Sequence, residues 1–277
     1  MPRARNGAVE IEYQTFGDPG GEAVLLINGL GSQMTRWPEA FCDLLVKRGL
    51  FAIRFDNRDT GLSTWCEGQS YNVDDMAADG AAVLDDAGKP KAHIVGVSMG
   101  GMIAQVFAAN YPARTLSLTS IMSNTGNPDL PPPNIALLNT RPLDPSDPGF
   151  IADTVARAEA IGSPAYPWPP GALAARARAE ADRAFNPPGI RRQMDAVGAS
   201  GDRRPKLATI TAPTMVLHGE ADPLVPVAGA RDTAANIAGA ELRIIPGMGH
   251  DLPPALYDIF VAAISRAVER AHATANA

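Results

Sequence analysis

Along the first half of the chain, short apolar segments typical of buried strands alternate with segments whose apolar residues have helical spacing. Short apolar runs that predict buried strands lie at 23–27, 51–55, 92–97 and 116–122, and the stretches with helical spacing between them lie at 37–47, 76–88 and 99–111. Strands that alternate with helices at these lengths are typical of parallel strands joined by right-handed crossovers. The pattern therefore predicts an α/β protein with a mostly parallel sheet and helices on both of its faces.

The alternation stops after Ser123, where a proline-rich stretch begins. Residues 127–133 read Asn-Pro-Asp-Leu-Pro-Pro-Pro, which can continue neither a helix nor a central strand. Ala- and Arg-rich segments with helical spacing follow at 149–162, 171–185 and 188–198, and strand patterns return at 213–218 and 242–245 before a last amphipathic helix. We therefore expect a core domain formed by residues 1–123 and 210–277, with residues 124–209 inserted as a helical cap.

Composition and charge narrow the class of protein. The 277 residues are 45% hydrophobic and 19% charged, which fits a globular protein and excludes a disordered or collagen-like one. A formal net charge of −6 without a basic patch argues against nucleic acid as a partner. No apolar run approaches the roughly 20 residues that a membrane span needs, and the first residues lack a signal-peptide core. We expect a soluble, cytoplasmic protein that is a monomer or a homodimer.

The sequence gives no sign of a metal site or a cofactor. Cys42 and Cys66 have no ligand-like spacing to the four histidines. His218, Glu220 and Asp222 alternate after a predicted strand, but one strand end supplies too few ligands for a metal. The glycine-rich turn after the first buried strand lacks the third glycine of a dinucleotide-binding fingerprint, and no P-loop occurs. We expect neither a metal nor a cofactor.

The sharpest chemical signal is Gly96-Val97-Ser98-Met99-Gly100, which lies directly between a predicted strand and a predicted helix. A strand that turns into a helix within one residue strains the backbone and leaves no room for side chains at the two glycines. The turn lifts the serine hydroxyl out of the sheet, beside N–H groups of the helix that favour developing negative charge. We predict that Ser98 is a nucleophile; a serine in a purely structural turn is the alternative.

A serine nucleophile needs a base within hydrogen-bond reach, and histidine is the usual one. Of the four histidines, His250 lies in a glycine-punctuated loop after the carboxyl end of a strand, where α/β sites assemble. A carboxylate must orient the imidazole, and the loop after strand 213–218 supplies Glu220 and Asp222. The rigid Asp-Pro step favours Asp222, with Glu220 as the alternative. The chain order of serine, acid and histidine is the one expected after this type of turn.

Acyl transfer also needs two N–H donors that stabilise the oxyanion of the tetrahedral intermediate. We predict the backbone N–H of Met99 and the backbone N–H of Leu30, which lies in the turn Asn28-Gly29-Leu30-Gly31. A turn that only changes the direction of the chain is the alternative for this loop. The aromatic candidates for lining a substrate pocket are Trp37, Tyr166 and Trp168. Large aromatic side chains lie in the core more often than in a pocket, so a core position is the alternative for each.

Together these motifs resemble the α/β-hydrolase fold superfamily, and most closely its serine esterases related to the aclacinomycin-type methylesterases. The resemblance covers about residues 8–123 and 210–268. The segments that carry it are the serine turn, the oxyanion loop 28–31, the loop 56–63 and the acid and base loops at 219–222 and 249–250. Asn28 stands where many relatives have histidine, and Asp59 replaces a common glycine, a change that resembles the methylesterase branch. Within loop 56–63 we expect Asp56 and Arg58 to pair.

The expected function is that of a serine hydrolase, which cleaves small to medium, largely apolar carboxylic esters through an acyl-enzyme. The expected partner is a small-molecule ester that lies in an apolar cleft under the cap. A cofactor-free haloperoxidase or perhydrolase, which keeps the same triad, is one alternative. A non-catalytic small-molecule-binding protein on the same fold is another. Haloalkane dehalogenases and epoxide hydrolases also resemble the chain, but they carry Asp at the position of Ser98.

Overall fold

The computed structural model of the chain describes residues 1–138 and 142–275, and within them eight strands form a single sheet. The strands are β1 (Arg3–Asn6), β2 (Val9–Phe16), β3 (Glu22–Ile27), β4 (Leu50–Phe55), β5 (Ala92–Val97), β6 (Thr115–Ile121), β7 (Thr214–Gly219) and β8 (Glu241–Ile245). The helices are α1 (Glu39–Val46), α2 (Val73–Asp86), α3 (Met99–Asn110), α4 (Phe150–Ala160), α5 (Ala172–Arg183), α6 (Pro187–Ser200), α7 (Arg204–Leu207), α8 (Ala228–Ala235) and α9 (Tyr257–Ala275). None of the helices in these ranges is both long and apolar enough to cross a bilayer.

The order of the strands in the sheet is β1-β2-β4-β3-β5-β6-β7-β8. From β4 to β8 all neighbouring strands are parallel, whereas β1 and β2 form an antiparallel edge. The direction of winding reverses between β3 and β5, which pair directly, with Ile27 opposite Gly96. Sites in open α/β sheets form at the carboxyl ends of the strands at such a switch point.

Both faces of the sheet are covered by helices, because the inner strands are apolar on both sides. Leu25 and Ile27 of β3 belong to a core with residues of α2 and α3, whereas Val24 and Leu26 belong to a second core with residues of α1 and α9. The predicted fold class, a mostly parallel sheet with helices on both faces, is confirmed.

Most elements that the sequence predicts lie within two residues of their expected bounds; α2 begins three residues earlier than expected, at Val73, and α1 begins two residues later. The pattern placed its start at Trp37, but the helix begins at Glu39 because the preceding Pro38 is extended and acts as its N-cap residue. Strand β1 and helices α7 and α8 were not predicted. Helices α4 to α7 lie between β6 and β7 in the chain, as the predicted insertion requires. The domain boundaries stay a prediction, and residues 139–141 and 276–277 of those ranges lie outside the described residues.

The expected pair between Asp56 and Arg58 is wrong. Arg58 forms a bidentate ion pair with Asp79 of α2, with both N···O distances at 2.7 Å. The carboxylate of Asp56 accepts hydrogen bonds from two backbone N–H groups, that of Leu62 in the same loop and that of Met34 in the turn before α1. It also pairs with Arg183 at the end of α5, at 2.6 Å. The two side chains leave the loop in different directions, so each anchors it to a different element.

Candidate active site

Ser98 occupies a strained turn between β5 and α3. Its backbone angles are φ 57° and ψ −122°, in a region that side chains other than glycine seldom adopt. The backbone N–H of Ser98 donates to the carbonyl oxygen of Ile121 at the end of β6, at 2.9 Å. The sheet therefore holds the strained residue at its carboxyl edge.

The two glycines of the turn are required by space, as predicted. A Cβ atom at Gly96 would lie 2.0 Å from the carbonyl oxygen of Gly100. A Cβ atom at Gly100 would lie 2.3 Å from the carbonyl oxygen of Ile27, at the end of β3. Since real Cβ contacts are never this short, a side chain at either position would push α3 away from the sheet.

The structure brings Ser98, His250 and Asp222 together in one hydrogen-bonded line. The Nε2 atom of His250 lies 2.9 Å from the Oγ atom of Ser98, and its Nδ1 atom lies 2.7 Å from the Oδ2 atom of Asp222. The Asp222 side chain is fully buried and His250 is 8% exposed. If Nδ1–H donates to the carboxylate, Nε2 is left to accept from the serine hydroxyl. Glu220, the alternative acid, is exposed.

The carboxylate of Asp222 is held in its ionised form by several donors. Burial alone raises its pKa, but hydrogen bonds from His218 and His250 and from the backbone N–H of Val225 outweigh burial and hold the pKa well below its ordinary value. Its Oδ1 atom accepts from the N–H groups of Leu224 and Val225, at 2.9 and 2.8 Å. The ring of His250 therefore faces a fixed negative charge.

His218 is a site residue that sequence reasoning missed in this role. Its Nε2 atom lies 2.8 Å from the carbonyl oxygen of Val225 and 3.3 Å from Oδ2 of Asp222, and its ring is fully buried. The Nε2–H group can thus donate to both oxygens. Its position four residues before Asp222, at the end of β7, is the signal that could have found it.

The loop that carries His250 is tied to the segment that follows α4. The backbone N–H of His250 donates to the carbonyl oxygen of Ile161 at 2.7 Å, and that of Gly249 donates to Oγ of Ser163 at 2.9 Å. A Cβ atom at Gly249 would lie only 2.3 Å from the carbonyl oxygen of Gly162. The chain between β6 and β7 therefore supports the loop that carries the imidazole.

The loop 28–31 lies against Ser98, where an oxyanion loop is expected. A Cβ atom at Gly29 would lie 3.2 Å from the Cβ atom of Ser98. Within the described residues, neither the N–H of Leu30 nor that of Met99 has a hydrogen-bond acceptor. Both groups remain available to a substrate oxygen.

Gln193 of α6 braces this loop, and no pattern in the sequence indicated this role. Its Oε1 atom accepts from the backbone N–H of Gly31 at 2.8 Å, and its Nε2 donates to the carbonyl oxygen of Arg58 at 2.8 Å. The residue is fully buried. Asn28 contributes through its carbonyl oxygen, which accepts from Asn57 at 3.0 Å. The amide of Gln193 therefore fixes the residue that follows Leu30.

A cavity of about 320 Å³ opens on Ser98 and His250 and is lined mostly by apolar residues. Of the three aromatic candidates, Trp168 lines this cavity. Trp37 does not, because it is fully buried against Phe41 and anchors α1 to the sheet. Tyr166 does not line it either, because its ring packs on the core beneath α1 and α9. These two pocket assignments are wrong.

A family model described as the alpha/beta hydrolase fold matches residues 22–163, about half of the chain. The rhodomycin D methylesterase DnrP of Streptomyces peucetius is 31% identical to the chain over 285 residues, which cover 94% of this chain and 95% of the relative. The chain belongs to the α/β-hydrolase fold family. The rhodomycin D methylesterase DauP of Streptomyces sp. (strain C5) is also 31% identical to this α/β hydrolase, over 92% of this chain and 94% of the relative.

Solved structures agree on the fold of this α/β hydrolase. The meta-cleavage product hydrolase CumD of Pseudomonas fluorescens IP01 superposes with a TM-score of 0.79 over 98% of each chain, at 19% identity. The predicted resemblance to the α/β-hydrolase superfamily and its methylesterases is therefore confirmed.

Proposed function

We propose that this α/β hydrolase is a serine hydrolase that cleaves carboxylic esters through an acyl-enzyme. The observation that carries the proposal is the hydrogen-bonded line from Asp222 through His250 to Ser98, which ends in a cavity. Its similarity to two methylesterases, enzymes whose names specify ester cleavage, supports the same reaction class. Ser98, His250 and Asp222 are the proposed catalytic residues.

The geometry supports the following steps. His250 Nε2 removes the proton of Ser98 as Oγ attacks the ester carbonyl carbon, and the carbonyl oxygen becomes an oxyanion against the N–H groups of Leu30 and Met99. The intermediate collapses as Nε2–H protonates the departing alkoxide, so that alcohol leaves and an acyl-serine remains. Water then attacks the acyl carbon, gives a proton to Nε2, and the acid is released as that proton returns to Ser98.

We also propose that residues 124–209 act as the cap over the substrate. Helices α4, α5 and α6 contribute Phe150, Leu173 and Ile190 to the cavity wall. A volume of about 320 Å³ suits a small to medium ester rather than a polymer. A cytoplasmic location and a monomeric or homodimeric state stay predictions of the sequence.

Labelling with a fluorophosphonate probe tests the reaction class, because such probes phosphonylate only a serine activated by a neighbouring base. We expect one label per chain at neutral pH, located by peptide mass spectrometry on the peptide that contains Ser98. We also expect hydrolysis of 4-nitrophenyl esters of short and medium acyl chains, with a fall in rate once the acyl chain exceeds the cavity. Absence of both labelling and hydrolysis would instead favour a protein that only binds small molecules.

Gln193 is expected to act as a positioning residue for the oxyanion loop. Replacement by alanine removes the acceptor of the Gly31 N–H, and misplacement of the neighbouring Leu30 N–H is expected to lower kcat about 10- to 100-fold. KM is expected to change by less than about threefold, because the loop acts mainly on the transition state. Steady-state kinetics with one nitrophenyl ester measures both constants.

Two variants separate this role from a general loss of structure. Gln193→Glu keeps an acceptor for Gly31 and should recover part of kcat. Ala196→Gly weakens the same helix, α6, at a buried position that does not line the cavity, and should lower the melting temperature with little effect on kcat. A normal kcat in Gln193→Ala would show that Gln193 does not position the oxyanion loop.

A further inference from the structure

The charged side chains that line the cavity are mostly neutralised by a partner. The pairs are Arg36 with Glu180, Asp59 with Arg192, and Arg157 with Asp153. Asp251 is also engaged, because its two oxygens accept from the indole N–H of Trp168 and the hydroxyl of Ser163. Such pairing is the usual way in which a cavity tolerates charge.

Arg176 on α5 is different. Its guanidinium lies over the ring of Trp168, with its central carbon 4.6 Å from the ring centroid, and it lines the same cavity as Ser98 and His250. It forms no hydrogen bond or ion pair with any residue that the structure describes. The stacking fixes the plane of the guanidinium but leaves its N–H donors unused. The indole is itself held by Asp251, at 2.7 Å.

The charge of Arg176 persists despite its surroundings. Burial, and to a lesser extent the nearby charge of Arg36, lower its pKa to about 10, so the guanidinium is protonated at neutral pH. Neither of the two acids whose charge acts on Arg176 is hydrogen-bonded to it: Glu180 pairs with Arg36, and Asp251 accepts from Trp168 and Ser163. A half-buried cation without an acceptor is costly unless a ligand supplies one.

We infer that Arg176 forms a subsite for a carboxylate carried by the substrate, in the cavity that also contains Ser98 and His250. A planar guanidinium matches a carboxylate through two parallel hydrogen bonds. A single cation beside Glu180 and Asp251 suits a monoanion better than a doubly charged phosphate. The inference rests on the proposed function and makes the expected largely apolar substrate more specific: an ester with an apolar body and one acidic end.

Paired substrates test this subsite. One member of each pair is the mono(4-nitrophenyl) ester of a straight-chain dicarboxylic acid, and the other is the 4-nitrophenyl ester of the monocarboxylic acid with the same number of carbons. We expect kcat/KM to favour the acid-ended ester by about tenfold or more at the chain length that reaches Arg176. In Arg176→Gln this preference is expected to fall at least about tenfold, through loss on the acid-ended ester.

The matched control is Arg178→Gln, which removes the same charge from an exposed position on the same helix and should keep the preference. Equal fluorophosphonate labelling rates would show that the Arg176→Gln enzyme is folded. A preference that persists in Arg176→Gln, or that is absent from the wild type at every chain length, overturns the subsite. If the wild type hydrolyses neither ester and is not labelled, the proposed function fails instead.

Discussion

Replacement of Ser98 by alanine is expected to lower kcat for a 4-nitrophenyl ester by about 10⁴- to 10⁶-fold and to abolish fluorophosphonate labelling. The Oγ atom of Ser98 is the group that His250 can deprotonate, at 2.9 Å, and without it no acyl-enzyme can form. Alanine keeps the Cβ atom, so the strain at φ 57° remains similar and the fold should persist. Kinetics, labelling and circular dichroism on one preparation measure these effects.

Ser123 offers the matched control. It is buried at the end of β6, near the first turn of α3, and its hydroxyl has no hydrogen-bond partner among the residues described. Ser123→Ala should therefore keep both the label and the rate. If the label survives in Ser98→Ala, another nucleophile operates and the mechanism is wrong.

Asp222→Asn is expected to lower kcat by about 10³- to 10⁴-fold. An amide at this position can donate to Nδ1 of His250, which favours the tautomer with the proton on Nε2 and so removes the acceptor for the Ser98 hydroxyl. Glu220→Gln, which alters the exposed acid of the same loop, is expected to stay within about threefold of the wild type. If Glu220→Gln is impaired and Asp222→Asn is not, the roles of the two acids are reversed.

The same variant carries a prediction about stability in acid. The pKa of Asp222 is lower in the folded chain than in the unfolded one, so its contribution to the free energy of unfolding is complete above about pH 4. That contribution is lost as the pH falls through the folded-state pKa. Urea unfolding at pH 7 and pH 3 should therefore show a larger loss of stability for the wild type than for Asp222→Asn. An equal loss for both would mean that this carboxylate is not stabilised by folding.

The sequence was sufficient for the six parallel strands and for the hydrogen-bonded line of Ser98, His250 and Asp222, because both depend on local patterns. Strands such as 92–97 are continuous apolar runs, and the loops that follow strands of a parallel sheet must meet at one edge. Helix α8, Ala228–Ala235, was missed because its residues are mostly alanine and charged residues with little apolar contrast. Helical spacing cannot be detected in such a segment.

Contacts between distant segments were beyond sequence reasoning. Gln193 lies 162 residues from Gly31 along the chain, and a lone glutamine in a helix carries no signal of such a bond. The positions of aromatic side chains were equally hard to predict. The sequence around Trp37 and Trp168 does not distinguish them, although Trp37 lies in the core and Trp168 lines the cavity. Which side of an element faces a cleft depends on packing, and the local sequence does not encode it.

Because Ile161 and Ser163 support the loop that carries His250, the segment between β6 and β7 cannot vary freely in sequence. The stretch between β6 and β7 is not an interchangeable module, since part of it holds His250, the proposed base, in place. New substrate preferences are more easily reached by change along α5 and α6 than by exchange of the whole stretch. A chimaera that kept residues 161–163 would preserve the machinery, whereas one that replaced them would have to rebuild it.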